Sequence, residues 1–84
     1  MSKKVQVVLY TKPGCGLCEE MKDAMQRAGV DRLYALQEVD IEKDAELYAR
    51  YRYDIPVLCI NGVEAFRHRM SAEEFRSHVT SILR

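Results

Sequence analysis

The 84-residue chain is short and evenly charged, with 13 basic and 13 acidic residues, and 48% of its residues are hydrophobic. This composition is typical of an ordinary globular protein and excludes a disordered one. The charge balance excludes the broad positive field that binds nucleic acid or an anionic membrane. The length predicts a single domain over residues 1–84.

The longest apolar runs and the cysteine count bear on where the protein works. Residues 7–10 and 57–60 form apolar runs of four, far short of the about 20 residues that span a bilayer. Three cysteines, an odd number, fit poorly with the disulfide framework of an exported protein. We therefore predict a cytoplasmic protein that contacts neither membrane nor nucleic acid, with a monomer as the expected state.

The first half of the chain predicts two strands, each followed by a helix. Residues 5–10 are a β-branched apolar run that ends at Lys12-Pro13-Gly14, which is typical of a buried strand. A helical stripe follows, ending near Gly29. The stripe consists of Leu17, Met21, Ala24, Met25 and Ala28. Residues 34–40 predict a second strand, and Asp40 is the expected N-cap of a helix over residues 42–51.

The second half predicts a hairpin and a final helix. Asn61-Gly62 lies between apolar runs at residues 57–60 and 63–66, a strong signal for a type I′ hairpin turn. Residues 71–74 (Ser-Ala-Glu-Glu) form a capping-box pattern that starts the last helix. The order β-α-β-α-β-β-α, with a parallel β-α-β unit first and an antiparallel hairpin last, predicts an α/β, thioredoxin-like fold. Its mixed four-stranded sheet would carry helices on both faces.

Two cysteines lie three positions apart in Pro-Gly-Cys-Gly-Leu-Cys, where the first strand is followed by the first helix. Residues i and i+3 of a helix have Cβ atoms about 5–6 Å apart, and a slight tightening reaches the roughly 3.8 Å of a disulfide. The helix N-terminus and Lys12 favour a thiolate on Cys15, whereas Glu19 and Glu20 oppose it. We expect Cys15 to be the exposed nucleophile and Cys18 to face inward as the resolving thiol.

A zinc site is an alternative use of such a pair. Structural zinc needs four ligands, usually supplied as two close pairs. The other candidate ligands, Cys59, His68 and His78, form no second close pair. Cys59 falls in an apolar run, where a free cysteine is often part of the core. The sequence therefore favours redox chemistry, with a metal site and an inert pair as alternatives.

Two long segments resemble glutaredoxin-like proteins of the thioredoxin superfamily, and most of all the small bacterial glutaredoxin-like family formerly described as a domain of unknown function. They read VVLYTKPGCGLCEEMKDAM and EVDIEKDAELYARYRYDIPVLCINGVEAF. The resemblance implies thiol–disulfide exchange, with Cys15 as nucleophile and Cys18 as resolving cysteine. It also implies that Pro56 is cis and lies against the pair, that the Ile55 backbone pairs with the substrate's backbone, and that Lys12 approaches a glutathione carboxylate.

Three stretches differ from typical dithiol glutaredoxins. Gly16-Leu17 replaces Pro-Tyr between the cysteines, and Asp54 replaces the threonine of Thr-Val-Pro. An acid at this position would repel a carboxylate or thiolate if it pointed at the site. Residues 66–70 replace the Gly-Gly-x-Asp motif that holds the γ-glutamyl end of glutathione. Arg67 and Arg69 are candidates for replacement anion contacts there, although two arginines near a turn are more often just solvated.

The leading hypothesis is a thiol–disulfide oxidoreductase that acts in electron transport and cell redox homeostasis. The cysteine pair itself carries the electrons, so no tightly bound cofactor is expected. The predicted substrates are a disulfide-containing protein or a glutathione mixed disulfide, and glutathione as co-substrate is the narrower hypothesis. The alternatives are an iron–sulfur or metal-binding glutaredoxin-like module and a non-catalytic interaction domain.

Overall fold

Residues 4–83 form four strands and three α-helices in the predicted order. The structure is a computed structural model that describes these residues, so residues 1–3 and 84 of the predicted domain lie outside the described part. The strands are β1 (Val5–Thr11), β2 (Tyr34–Asp40), β3 (Val57–Ile60) and β4 (Val63–Arg67). The helices are α1 (Gly16–Arg27), α2 (Ala45–Tyr51) and α3 (Ala72–Ile82). None of these helices is long and apolar enough to cross a membrane.

The strands form one mixed sheet in the order β2-β1-β3-β4. β1 pairs with β2 in parallel and with β3 antiparallel, and β3 pairs with β4 antiparallel. This is the predicted topology. The register pairs Tyr10 with Val57 and Val57 with Arg67, so the end of β1, the start of β3 and the end of β4 meet at one edge. The Cys15 segment follows β1 at that edge.

Alternation along β1 divides the core between the two faces of the sheet. Val5, Val7 and Leu9 point to one face, where they pack in a cluster that includes residues of α1 and α3 such as Met21 and Phe75. The other face carries a smaller cluster, which we call the site cluster. Its buried residues are Cys18, Ile41 and Ile55, and the partly buried residues against it are Tyr10, Cys15, Leu47, Tyr48 and Tyr51. Helices therefore cover both faces, as predicted.

The predicted start of the second helix is wrong by three residues. Asp40 caps a short 3₁₀ turn over Ile41–Lys43, where its carboxylate accepts the Glu42 N–H at 2.9 Å. Asp44 is the N-cap of α2 and accepts the N–H groups of Glu46 and Leu47 at 2.9 and 3.1 Å. Two aspartates four positions apart are equally good caps, and the extended backbone of Asp44 (φ −141°, ψ 115°) separates the two helical turns.

The turn and cap predictions of the second half are confirmed. Asn61 and Gly62 have φ values of 50° and 82°, as a type I′ hairpin turn between β3 and β4 requires. The Ser71 hydroxyl accepts the Glu74 N–H at 3.0 Å, and the Glu74 carboxylate accepts the Ser71 N–H at 2.9 Å. This reciprocal capping box fixes the start of α3.

Candidate active site

The Cys15–Cys18 pair lies at the point where β1 gives way to α1. Gly14 turns the chain with φ +76°, a value that glycine adopts without a steric penalty. Cys15 is the N-cap of α1, and its sulfur accepts the Cys18 N–H at 3.1 Å. The two residues form a disulfide with their Cα atoms 5.3 Å apart. The predicted placement of the pair, at the point where the first strand is followed by the first helix, is therefore confirmed.

The two cysteines differ in exposure. Cys18 is 1% exposed and lies within the site cluster, whereas Cys15 is only partly buried. Gly14 and Gly16, on either side of Cys15, are exposed and have no side chain to shield its sulfur. An incoming sulfur can therefore reach Cys15 and cannot reach Cys18 directly. This asymmetry agrees with the predicted division of work, while the catalytic roles themselves stay predictions.

The negative charge of Glu19, in the first turn of α1, is balanced by a lysine of the same helix. Lys22 Nζ lies 3.2 Å from a Glu19 oxygen and 3.1 Å from a Glu38 oxygen. The hydrogen bond with Glu38, and next that with Glu19, raises the pKa of Lys22. Because Lys22 balances the charge of Glu19, that carboxylate opposes a thiolate on Cys15 less than the sequence suggests.

Lys12 lies beside the cysteine loop, on the side that faces β2. It helps to line an open groove of 340 Å³ between the loop and β2, whose other charged residues are Glu19, Lys22, Glu38 and Asp40. The Lys12 ammonium forms no ion pair among residues 4–83. An anion that enters this groove would meet the carboxylates of its lining as well as Lys12. Its predicted role in binding stays a prediction.

The Ile55–Pro56 peptide bond is cis, as the resemblance implies. Ile55 is 8% exposed and packs in the site cluster, so the structure brings the Ile55-Pro56 dipeptide together with both cysteines. The Ile55 N–H donates to the Tyr51 carbonyl at 3.1 Å, and the Asp54 N–H donates to the same oxygen at 2.8 Å. The Ile55 amide is thus already bonded within the chain, and its pairing with a substrate backbone stays a prediction.

Asp54 is held by an arginine. One of its carboxylate oxygens lies 3.1 Å from Nη1 of Arg67, at the end of β4. The same guanidinium bonds both carboxylate oxygens of Glu64, at 2.8 and 2.7 Å. Those hydrogen bonds lower the pKa of Glu64 and raise that of Arg67. Arg67 is therefore occupied by two acids, and the expectation that it replaces a glutathione contact does not fit this geometry.

A tight turn at residues 67–69 replaces the glycine-rich motif of typical glutaredoxins. His68 has φ +69°, and the Arg69 N–H donates to the Arg67 carbonyl at 2.8 Å across it. The His68 N–H donates to the Pro56 carbonyl at 2.8 Å, which ties the turn to the cis-proline. A small cavity of 110 Å³ separates the turn from Leu17 and Glu20 of α1.

Three tyrosines complete the site and were not predicted as part of it. Tyr10, Tyr48 and Tyr51 pack against the buried part of the site cluster. The rings of Tyr10 and Tyr51 stack with their centroids 4.7 Å apart. Tyr48 and Tyr51 are three residues apart and therefore lie on one face of α2. The sequence does not show that this face packs against the cysteines, because that depends on how α2 is placed on the sheet.

Two other candidate ligands, Cys59 and His78, have contacts of their own. Cys59 is a free thiol in β3, and burial, followed by the nearby Glu64, raises its pKa. His78 packs edge-on against Phe66 with ring centroids 5.6 Å apart. Among residues 4–83, no three His, Cys, Asp or Glu side chains come together as a metal-ion site.

Comparison with known proteins extends the sequence resemblance. The family described as Glutaredoxin-like domain (DUF836) matches residues 6–80. A glutaredoxin-like protein of Dictyostelium discoideum is 26% identical over 98% of this chain and 82% of its own length. The Gene 56 protein of Mycobacterium phage L5 is 40% identical over 42 residues, which are 50% of this chain and 37% of that protein.

Solved structures agree with the fold. The X-ray structure of the X. campestris protein XcR50 superposes with a TM-score of 0.76 at 27% identity, covering 89% of this chain and 96% of that one. A malaria parasite thioredoxin-2 superposes with a TM-score of 0.68 at 19% identity, covering 96% of this chain and 85% of that one. The thioredoxin fold and the Cys15–Cys18 pair at disulfide distance support a role in thiol redox chemistry. The chain therefore belongs to the glutaredoxin-like family of the thioredoxin superfamily.

Proposed function

We propose that this protein is a thiol–disulfide oxidoreductase. The observation that carries the proposal is the position of the Cys15 sulfur, which is accessible at the N-cap of α1 and accepts the Cys18 N–H at 3.1 Å. In the reduced protein the same N–H group and the positive end of the helix would stabilise a thiolate on Cys15. The thiolate is the form that attacks a disulfide.

The reaction proceeds by two exchanges. The Cys15 thiolate attacks one sulfur of the substrate disulfide, and the other substrate sulfur leaves as a thiolate that takes a proton from water. Cys18 then loses its proton and attacks the Cys15 sulfur, which releases the second substrate thiolate and closes the Cys15–Cys18 disulfide. Two electrons pass from the protein to the substrate. A dithiol protein or two molecules of glutathione would return them.

The substrate would bind along the edge of the sheet that holds the pair. The Ile55 carbonyl can accept a backbone N–H of the substrate, while Pro56, whose side chain is fully buried, supports this segment from inside the fold. Lys12 can pair with a substrate carboxylate across its groove. We propose disulfide-containing proteins or glutathione mixed disulfides as substrates, and a cytoplasmic role in redox homeostasis that agrees with the odd number of cysteines.

Reduction of a protein disulfide with dithiothreitol as electron donor tests the activity. We expect the wild-type protein to accelerate the reaction, Cys15→Ser to abolish the acceleration, and Cys59→Ser to leave it unchanged. Equal rates with wild type and Cys15→Ser would contradict the proposal. Equal loss of the acceleration in Cys15→Ser and Cys59→Ser would show that the activity does not depend on the Cys15–Cys18 pair alone.

Glutathione as the donor is tested separately. In a hydroxyethyl-disulfide assay coupled to glutathione reductase, turnover that falls in Lys12→Gln would support glutathione as co-substrate. No turnover at millimolar glutathione, with the dithiothreitol reaction intact, would point to a dithiol protein as donor.

A further inference from the structure

Residues 48–53, which are the last turn of α2 and the two residues after it, include two arginines, three tyrosines and no acid. We call Tyr48, Arg50, Tyr51, Arg52 and Tyr53 the Arg–Tyr surface. Arg50 and Arg52 are exposed, and Tyr53 is 77% exposed. Neither arginine forms an ion pair among residues 4–83. The surface is therefore locally positive, although the net charge of the chain is zero.

The tyrosine rings hold the two guanidinium groups in place. The Arg52 guanidinium carbon lies 5.4 Å from the Tyr48 ring centroid and 4.5 Å from that of Tyr53. The Arg50 guanidinium carbon lies 5.9 Å from the Tyr51 ring centroid. Such cation–π contacts order a long side chain without neutralising its charge. The result is two fixed positive charges separated by aromatic rings.

This surface is continuous with the redox pair. Tyr48 and Tyr51 pack in the site cluster together with Cys15 and Cys18, so each guanidinium lies one ring away from that cluster. A polypeptide whose disulfide reaches Cys15 would pass its flanking residues across this surface. Tyrosine and arginine are also the residues most enriched where proteins bind other proteins.

The charges on the surface select the kind of partner. Two cations over different rings fit carboxylates spaced along an extended chain better than they fit a single small anion. A nucleic acid is a poorer fit, because the chain has 13 basic and 13 acidic residues and lacks the broad positive field that binds a long run of phosphates.

We propose that the Arg–Tyr surface docks acidic polypeptide segments next to the disulfide of a protein substrate. This inference rests on the proposed function and names the substrate class of the same site. Exposed complementary charges of this kind raise the association rate and choose between partners more than they add to affinity. The preference should therefore appear in the rate of disulfide reduction.

The test uses three synthetic peptides with the same internal disulfide, flanked by Glu, Gln or Lys residues. Prereduced protein is mixed with excess peptide, and the single turnover is quenched with an alkylating agent and measured by mass spectrometry. Each rate is divided by the rate of free dithiothreitol with the same peptide, which removes the effect of the flanks on intrinsic reactivity. We expect the Glu peptide to react about tenfold faster than the Lys peptide at low salt.

The salt dependence of the rates and charge-changing variants test whether the preference for the Glu peptide comes from the Arg–Tyr surface. The preference should disappear between about 0.01 M and about 1 M salt, as the Debye length falls from roughly 30 Å to roughly 3 Å. It should also disappear in R50Q/R52Q and reverse in R50E/R52E. The matched control is K4Q/R32Q, which removes two exposed charges beyond the Val5–Tyr34 pair at the opposite end of the sheet and should keep the preference.

The outcomes separate the two proposals. Equal normalised rates for the three peptides would overturn the docking surface and leave the oxidoreductase standing, whereas no reduction of any peptide would overturn the oxidoreductase itself. A preference that survives in R50E/R52E, or is lost equally in K4Q/R32Q, would also overturn the docking surface. Stronger inhibition by a single-stranded oligonucleotide than by a Glu peptide without cysteines would assign the surface to nucleic acid instead.

Discussion

Replacement of Tyr51 by alanine should loosen the part of the fold that presents the redox pair. α2 has no fully buried residue, so its attachment depends on the partly buried Leu47, Tyr48 and Tyr51. The Tyr51 side chain contributes most directly, because its ring stacks on that of Tyr10 with the centroids 4.7 Å apart. The side chain thus holds α2 against β1, whereas the bond between the Tyr51 carbonyl and the Ile55 N–H is a backbone contact that the alanine variant keeps.

The magnitude follows from these contacts. Half-burial of a tyrosine ring is worth about 1 kcal/mol, and the aromatic stack adds about 1 kcal/mol. The higher helix propensity of alanine offsets about 0.5 kcal/mol of these two losses. The free energy of unfolding should therefore fall by about 1.5 kcal/mol. For a domain of this size the loss corresponds to a fall of about 6–12 °C in Tm.

Urea and thermal unfolding followed by circular dichroism measure the loss, and the disulfide-reduction rate measures its effect on the site. Tyr51→Phe keeps the stack and should change the free energy of unfolding by less than about 0.5 kcal/mol. Tyr53→Ala is the matched control, because Tyr53 is 77% exposed two residues further on. A Tyr51→Ala protein as stable as Tyr53→Ala would refute the reasoning. Unchanged stability with a lower rate would show that the ring acts only on the substrate.

Two further predictions concern Lys22 and Cys59. Hydrogen bonds with Glu38 and Glu19 raise the pKa of Lys22, so its stabilisation should be fully present below the unfolded value and be lost as pH rises through the higher folded pKa. The stability difference between wild type and Lys22→Gln, at most about 1 kcal/mol for such exposed pairs, should therefore vanish at strongly alkaline pH, and a difference that grows with pH would contradict this. Burial raises the pKa of Cys59, so iodoacetamide should alkylate it more slowly in the folded protein than in urea, whereas equal rates would show an open thiol.

Local signals account for most of the fold that the sequence predicts. The apolar run of β1, the Asn61-Gly62 turn and the Ser71–Glu74 capping box each depend on residues close in the chain, and each is confirmed. The start of α2 is wrong because Asp40 and Asp44 are equivalent cap residues. The choice between them depends on how the chain leaves β2, which no local pattern records.

In the candidate site, too, the sequence predicts the features that depend on local pattern and misses those that depend on contacts between distant segments. The sequence places Cys15 at the N-terminus of a helix and Cys18 facing inward, because both positions follow from the motif and the helical stripe. The pairing of Asp54 with Arg67 escapes a sequence reading, since the two residues meet only when β3 and β4 are assembled. The packing of the α2 tyrosines over the cysteines escapes it for the same reason.

Trapping of the covalent intermediate tests the central claim most directly. Cys18→Ser removes the resolving thiol and should leave the protein joined to a substrate through a mixed disulfide, which non-reducing electrophoresis and peptide mass mapping locate. The account predicts that the bond is made by Cys15, and that Cys15→Ser traps nothing under the same conditions. A mixed disulfide on Cys59, or equal trapping by both variants, would contradict it.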